Sequence, residues 1–240
     1  MAKRFISDGK KVILTVAFIL ATSSSVMAQE ESKWEITPGA DLVSSYVWRG
    51  LYQTTTSFQP GLTIGYGGLS LGAWGSTDFF SDFKELDLTL GYEAGGFNIG
   101  VTDYWWTGEG SKYGNYKSNH GFEGTIGYNF GESFPLRLAW STFFAGGLDK
   151  GYNDKGEEEQ KYSTYISAGY DFNVKGVAVT ASIGVSPWEG LYTDDFAVST
   201  ISLKATKEIK FSDSFSLPVF AETIVAPDQD NVFLVFGISF

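Results

Sequence analysis

Few side chains in this chain could perform covalent chemistry. There is no cysteine and only one histidine, His120, so thiol nucleophiles and thiolate metal sites are excluded and an imidazole base has one candidate. Neither a G-x-S-x-G elbow nor a Walker loop occurs. Carboxylates and serines are abundant and could still converge in space, but no catalytic motif brings them together. We therefore expect no enzyme, no cofactor and no metal, and interpret His120 as an interface or loop residue.

The remaining functional side chains are charged and polar groups, and they recur at every second position of the predicted strands. Leu86, Leu88 and Leu90 alternate with Asp87 and Thr89. Such alternation is typical of a strand with one apolar and one polar face. We predict that the charged and amide residues of the polar faces line a lumen: Arg49, Glu85, Asp87, Asn98, Glu123, Arg137, Asp171, Lys204 and Glu222.

Acids outnumber bases in this set, and two interpretations stay open. A water-filled lumen with that bias favours cations. Alternatively, the charges pair inside a plugged barrel, where unpaired charges would be too costly. Bulky side chains fall on the same face and could narrow a pore: Trp74, Tyr104, Trp106, Phe143 and Tyr165.

Four hairpins share a Gly-Tyr pair just before a short turn. In each, an alternating run ends at the tyrosine, a few turn residues follow, and a second alternating run returns. A fifth, less regular hairpin turns near residues 210–213. We predict that the four tyrosines form an interfacial aromatic girdle at the short-turn end. They are Tyr66, Tyr92, Tyr128 and Tyr170.

Longer polar or aromatic connections separate these hairpins. They cover residues 50–58, 76–83, 107–119, 146–161, 187–195 and 226–230. The predicted fold is all-β: a single antiparallel up-and-down transmembrane β-barrel of about 12 strands, with short turns at one end and long loops at the other. A soluble β-sandwich also alternates, but its turns do not normally divide into short and long sets.

The first strand is predicted from about residue 36 to Trp48 and the last from 231 to Phe240. Arg49 then ends the first strand on the loop side. It either lines an eyelet opposite the acids or forms a structural salt bridge at the rim.

Residues 1–28 have the pattern of a secretory signal peptide, which leaves residues 29–240 as the barrel domain. A basic start precedes the apolar run Val12–Ala21, and a small-residue pattern ends at Ala28. The apolar run is too short to span a bilayer as a helix. The last strand alternates up to Phe240, which is similar to the closing strand recognised by the barrel assembly machinery. We therefore expect Phe240 to be an assembly signal and the protein to lie in the outer membrane of a Gram-negative bacterium.

One stretch of the chain resembles a known family. Residues 45–50 (SYVWRG), followed by 59–62 (QPGL), resemble the opening of the TorF-type porin family. Residues 71–76 (LGAWGS) are similar to the next strand of that family, and 88–104 to its following hairpin. The resemblance implies an outer-membrane pore and leaves its substrate undefined.

The net charge of the chain also limits the molecules that it is expected to bind. The formal net charge of -11 leaves no broad basic face for a phosphate backbone, so we expect no nucleic-acid binding. The expected partners are membrane lipid, lipopolysaccharide, the barrel assembly machinery and small hydrophilic solutes. Acidic residues crowd the loop at 146–161, where the spacing does not match an EF-hand and a solvated charge run or divalent-ion bridging stays open.

These patterns favour a monomeric outer-membrane channel for passive diffusion of small hydrophilic solutes, with a preference for cations. Two alternatives stay open: a non-conducting structural or surface-interaction barrel, and an outer-membrane lipid-modifying enzyme. In each case residues in the short turns, such as Gly95 and Lys175, should face the periplasm and residues 146–161 the outside.

Overall fold

A computed structural model describes residues 34–107, 111–212 and 215–240, and the sequence prediction for residues 1–28 lies outside them. Sixteen strands occur in the described part of the chain. Their bounds are β1 Trp34–Val43, β2 Tyr46–Trp48, β3 Leu51–Thr54, β4 Ser57–Tyr66, β5 Leu69–Asp78, β6 Lys84–Ala94, β7 Phe97–Trp106, β8 His120–Asn129, β9 Leu136–Gly146, β10 Lys150–Tyr152, β11 Glu158–Gln160, β12 Thr164–Val174, β13 Val177–Ser186, β14 Ala197–Lys210, β15 Ser216–Ala226 and β16 Asn231–Ser239. A 3-10 turn, Pro227–Gln229, precedes β16.

Twelve of these strands close into one antiparallel barrel, as the sequence predicts. The order around the wall is β1-β16-β15-β14-β13-β12-β9-β8-β7-β6-β5-β4, and β4 returns to β1. The remaining strands form two small hairpins, β2–β3 and β10–β11. Closure removes the free sheet edges that lipid could not satisfy.

The barrel is apolar outside and polar inside. On β6, Leu90 is 59% exposed, whereas Thr89 is 8% exposed and bonds the hydroxyl of Thr102 on β7 across the inner face. The same alternation places Ile126 outside and Thr125 inside on β8. This is the reverse of a water-soluble core, and it is the pattern that a lipid-facing wall around a polar lumen requires. No helix among residues 34–107, 111–212 and 215–240 is long and apolar enough to span a bilayer.

The four Gly-Tyr tyrosines all lie at the short-turn end of the wall. Tyr66 packs on Trp34 with ring centroids 4.8 Å apart, and Tyr128 packs on Phe97 at 4.5 Å. Tyr92 and Tyr170 are exposed on the outer face at the same end. The positions suit a girdle of amphipathic rings, although the interfacial role stays a prediction.

The end of the first strand predicted from the sequence is wrong. The first wall strand ends at Val43 rather than Trp48, because the chain leaves the wall at Ser44 and forms the β2–β3 hairpin inside the barrel. Arg49 therefore does not end a wall strand. The loop at 146–161 also contains structure of its own, the short hairpin β10–β11.

In the antiparallel barrel all short turns lie at one end, so labelling can test which end faces the periplasm. Gly95 and Lys175 have φ of 58° and 52°, a backbone that a new cysteine would strain, so Glu132 in the exposed β8–β9 turn is the better probe of the short-turn end. In intact cells we expect an impermeant maleimide to label Asp154→Cys, in the β10–β11 turn, and to spare Glu132→Cys. Disrupted cells control for reactivity and should label both. Labelling of Glu132→Cys alone in intact cells would mean that the barrel is inverted.

Candidate functional site

The β2–β3 hairpin occupies part of the lumen. Tyr46, at its start, packs on Trp74 of β5 with ring centroids 5.6 Å apart. Trp48, near its tip, packs edge-on against Phe143 of β9 at 6.3 Å. At the tip, a Cβ on Gly50 would lie 2.5 Å from the carbonyl oxygen of Ser199 on β14. The hairpin therefore reaches across the inside of the barrel from one wall to another.

A two-residue turn makes this hairpin. Trp48 pairs with Leu51, and Arg49 and Gly50 between them both have positive φ, 52° and 88°. That is the backbone of a type I′ turn, which suits the twist of a hairpin. Glycine accepts it freely, but arginine does so at a cost of order 1 kcal/mol or more. Contacts of the Arg49 side chain must offset that cost.

Those contacts are made with a buried acid on the opposite wall. Arg49 donates from Nη1 and Nη2 to the two carboxylate oxygens of Glu123 on β8, at 2.5 and 2.8 Å. The arginine also donates to the hydroxyl of Tyr192, and the hydroxyl of Tyr104 donates to Glu123 Oε1 at 3.1 Å. A bidentate pair of this geometry fixes both position and orientation. Glu123 is fully buried, so the pair is shielded from solvent.

Aromatic rings surround the guanidinium. Its Cζ lies 4.6 Å from the ring centroid of Trp48, 4.9 Å from that of Tyr165 and 5.5 Å from that of Tyr192. Rings at these distances attract a cation through their quadrupoles. Tyr104 and Phe143 complete the cluster. Together these groups form a constriction around Arg49, and we use that name for them below.

A second group of acids lies next to the constriction on β6. Glu85 accepts a hydrogen bond from Trp106 Nε1 at 2.8 Å, but its other carboxylate oxygen has no hydrogen-bond partner among the described residues. Asp87 Oδ1 is likewise without one, as is the hydroxyl of Ser76 on β5. Neither carboxylate forms an ion pair with a base of the described chain. Around the constriction, the inner face of β6–β8 thus presents three acids, Glu85, Asp87 and Glu123, to one arginine.

The remaining predicted lumen residues lie nearer the short-turn end. Arg137 Nη2 donates to Asp171 Oδ1 at 2.8 Å, and Thr180 donates to the same oxygen. Lys204 pairs in register with Glu222, but its Nζ has no hydrogen-bond partner among the described residues and lies 3.7 Å from the ring centroid of Phe220. Asn98 of β7 is buried on the inner face.

All nine predicted lumen residues therefore point inward, but they do not form one site. Arg49 and Glu123 meet at the constriction, with Glu85 and Asp87 beside it. Arg137 and Asp171 form a separate wall pair. Lys204 and Glu222 occupy a third region beside the closing strands.

Two constriction residues, Trp48 and Tyr192, are not among the lumen residues predicted from the sequence. Tyr192 lies in the loop between β13 and β14, where no alternation predicts its direction. The Arg-Gly pair at 49–50 was the available signal for the hairpin, because Arg-Gly between two short apolar runs fits a two-residue turn.

His120 lies at the outer face, not in the lumen. Its Nδ1 is 2.7 Å from Asp103 Oδ1, and its Nε2 is 2.5 Å from the carbonyl oxygen of Tyr113. The ring also stacks on Tyr116 with centroids 3.9 Å apart. With both nitrogens engaged, the imidazole holds Tyr113 and Tyr116 of the preceding loop against the wall and presents no free nitrogen to a substrate in this conformation.

The acidic loop is organised by its own side chains. Asp149 is buried and accepts hydrogen bonds from the backbone and hydroxyl of Ser163; burial raises the pKa of its carboxyl, and these bonds oppose that rise. Glu158 pairs with Lys150 at 2.6 Å, and this hydrogen bond lowers the pKa of the exposed carboxyl. No group of three or more metal-ligating residues forms within the described parts of the chain.

One protein-family model matches most of the chain. Residues 27–216 match the family Gcw_chp, described as a bacterial protein of unknown function. The match covers more than half of the chain, which therefore belongs to this family. A search of curated proteins finds no match.

The Arg49–Glu123 pair generates a stability prediction. Glu123→Gln leaves the arginine with one neutral acceptor in a buried site, and we expect this to lower the free energy of unfolding by ~3–5 kcal/mol. Urea unfolding of the refolded protein in detergent micelles measures the change. Glu132→Gln, at an exposed turn, is the matched control and should leave the unfolding curve in place. Equal stability of both variants would show that the ion pair does not hold the hairpin.

Proposed function

We propose that this protein is an outer-membrane, porin-like channel for small hydrophilic solutes, with its lumen narrowed by the β2–β3 hairpin. The observation that carries the proposal is the inserted hairpin, which presents Arg49 opposite Glu123 inside a barrel whose β6–β8 inner face is polar. A charged constriction within a polar lumen sorts solutes by size and charge.

Several features support a membrane location. The outer wall is apolar, aromatic rings cluster at the short-turn end, and the sequence pattern at 1–28 favours export. The likeness of residues 45–62 to the TorF-type porins points the same way. In this proposal the barrel is a monomer, surrounded by membrane lipid and lipopolysaccharide, and is inserted by the barrel assembly machinery with Phe240 in its recognition strand.

The charges support a preference for cations. Arg49 and Arg137 are each paired with an acid, and Lys204 is the one base of the predicted lumen set without an ion pair, whereas Glu85 and Asp87 both lack a basic partner in the described chain. A low-dielectric wall focuses the field of such acids and raises the local cation concentration. Passage is by diffusion and needs no cofactor or covalent step.

The first test is the conductance of the refolded protein in a planar bilayer. Val43 and Ser57 are register partners, so a short Gly-Ser turn can replace residues 45–55 without moving β1 or β4. We expect the parent to form small, discrete conductance steps and the shortened variant to form steps several-fold larger, because the constriction is gone. Shortening the exposed β10–β11 hairpin is the control and should leave the step size unchanged.

Folding of each variant is checked by the shift of the unheated band on a gel. Absence of conductance in both the parent and a correctly folded shortened variant would contradict the channel and favour the non-conducting barrel.

The second test concerns selectivity. Glu85→Gln combined with Asp87→Asn should lower the cation-over-anion permeability ratio, since these acids have no basic partner. The reversal potential in a salt gradient measures it, and the difference from the parent should shrink at 1 M salt, where the screening length is ~3 Å. Asp154→Asn, in an exposed loop, is the control. An unchanged reversal potential would exclude these acids as the selectivity determinant.

A further inference from the structure

The barrel closes at a seam with a short ladder. β1 and β16 share three register pairs, Asp41–Val43 with Gly237–Ser239, and backbone hydrogen bonds between Ala40 and Phe240 and from Ser44 to Phe236 flank them. Every other pair of neighbouring wall strands shares seven or more. The wall is therefore joined least firmly where its first and last strands meet.

The inserted hairpin causes this short ladder. At Ser44 the chain turns into the lumen. The Ser44 N–H still donates to the Phe236 carbonyl at 2.8 Å, but the Ser44 hydroxyl, not its carbonyl, accepts the N–H of Phe236 at 2.9 Å. β16 continues for five residues beyond Phe236, to Asn231. No strand of the described chain lies beside that part of β16 on its β1 side.

The inner face beside the seam carries an apolar cluster, unlike the inner face of β6–β9, next to the polar pair Asp41 and Ser239. Val43, Phe220, Ile224 and Val235 form one buried cluster there. The ring of Phe220 lies directly over Gly237, where an added Cβ would be 2.1 Å from a ring carbon. Glycine permits this contact. Because Phe220 and Gly237 are register partners, the ring covers the β15–β16 ladder next to the seam.

The outer face at the seam carries a groove of about 670 Å³. The small side chains of Ala205 and Ala221 leave a depression beside Leu42, Phe236 and Ile238. The inward residues Val43, Phe220 and Gly237 also contribute to its lining, so the groove lies directly outside the part of the wall that they form.

A buried cation stands on the inner side of that layer. Lys204 is 8% exposed, lies over the ring of Phe220, and has no hydrogen-bond acceptor for its Nζ within the described residues. Glu222 and Asp41 are its acidic neighbours, but neither forms an ion pair with it. An ammonium with unused donors beside an apolar cluster suits the carboxylate of an amphiphile.

From these observations we infer that the β1–β16 seam is a lateral binding site for a long-chain carboxylate. The carboxylate is held by Lys204, and the acyl chain crosses the seam past Phe220 into the outer groove and the bilayer. The inference relies on the membrane location proposed above and adds a second, apolar ligand to a barrel otherwise assigned to hydrophilic solutes.

A photoreactive oleate with a mid-chain diazirine tests the site in the refolded full-length protein. We expect saturable labelling of the inward residues Phe220 and Val235 and of the outward Phe236, located by peptide mass spectrometry. The methyl ester should label ~10-fold less, as expected for the loss of one charge-assisted contact. Lys204→Met should abolish this preference for the free acid.

Two matched pairs of variants separate the site from general lipid contact. Ala221→Trp fills the groove and should reduce labelling, whereas Ala168→Trp, on the outer face of β12, should not. Asp41→Cys with Ser239→Cys can staple the seam, since these residues are register partners. Its oxidised form should lose labelling of Phe220 and Val235, and its reduced form should keep it. A Thr89→Cys/Thr102→Cys staple between β6 and β7 is the control and should keep inner labelling in both redox states.

Labelling spread evenly around the wall, or inner labelling that persists in the oxidised seam staple, would overturn the inference. A protein that conducts ions and lacks seam labelling would refute this inference alone. One that is labelled at the seam and never conducts would refute the channel proposal alone.

Discussion

The ion pair between Arg49 and Glu123 is the contact on which the lumen architecture depends. It joins the tip of the β2–β3 hairpin to the β8 wall and offsets the left-handed backbone of the arginine. With the hairpin held inside, the lumen is narrowed and β1 ends at Val43. The same contact therefore accounts for the constriction and, through the loss of a longer β1, for the short ladder with β16.

Buried charged groups occur in two arrangements inside the barrel, paired and unpaired. At the constriction and at Arg137–Asp171, opposite charges pair directly, which limits the cost of removing them from water. At Glu85, Asp87 and Lys204, buried polar atoms have no partner within the described chain. Such groups are costly in a dry interior, so their retention points to places where water, ions or ligand groups make the missing bonds.

Much of the wall could be predicted from the sequence, because each strand alternates independently of its neighbours. Leu88 and Asp87 alone indicate which face of β6 is apolar, and the division into short and long connections predicts the strand number. The interior could not be predicted to the same depth. The alternating pattern extends the predicted first strand to Trp48, since nothing in the local sequence shows that the chain turns inward at Ser44. The direction of the Tyr192 side chain could not be predicted either, because it depends on the conformation of a loop. That Arg49 pairs with Glu123, 74 positions away, is a tertiary fact that no local pattern contains.

The position of the hairpin also constrains the order of assembly. β1 and β16 come from opposite ends of the folded chain, so their pairing is the most non-local contact in the wall and carries a large loop-closure entropy. The hairpin follows β1 directly in the chain, so it is available to dock on the curved sheet before β16 arrives. Closure of the barrel is thus coupled to a packed interior: a chain whose hairpin has not docked presents β16 with an incompletely positioned partner.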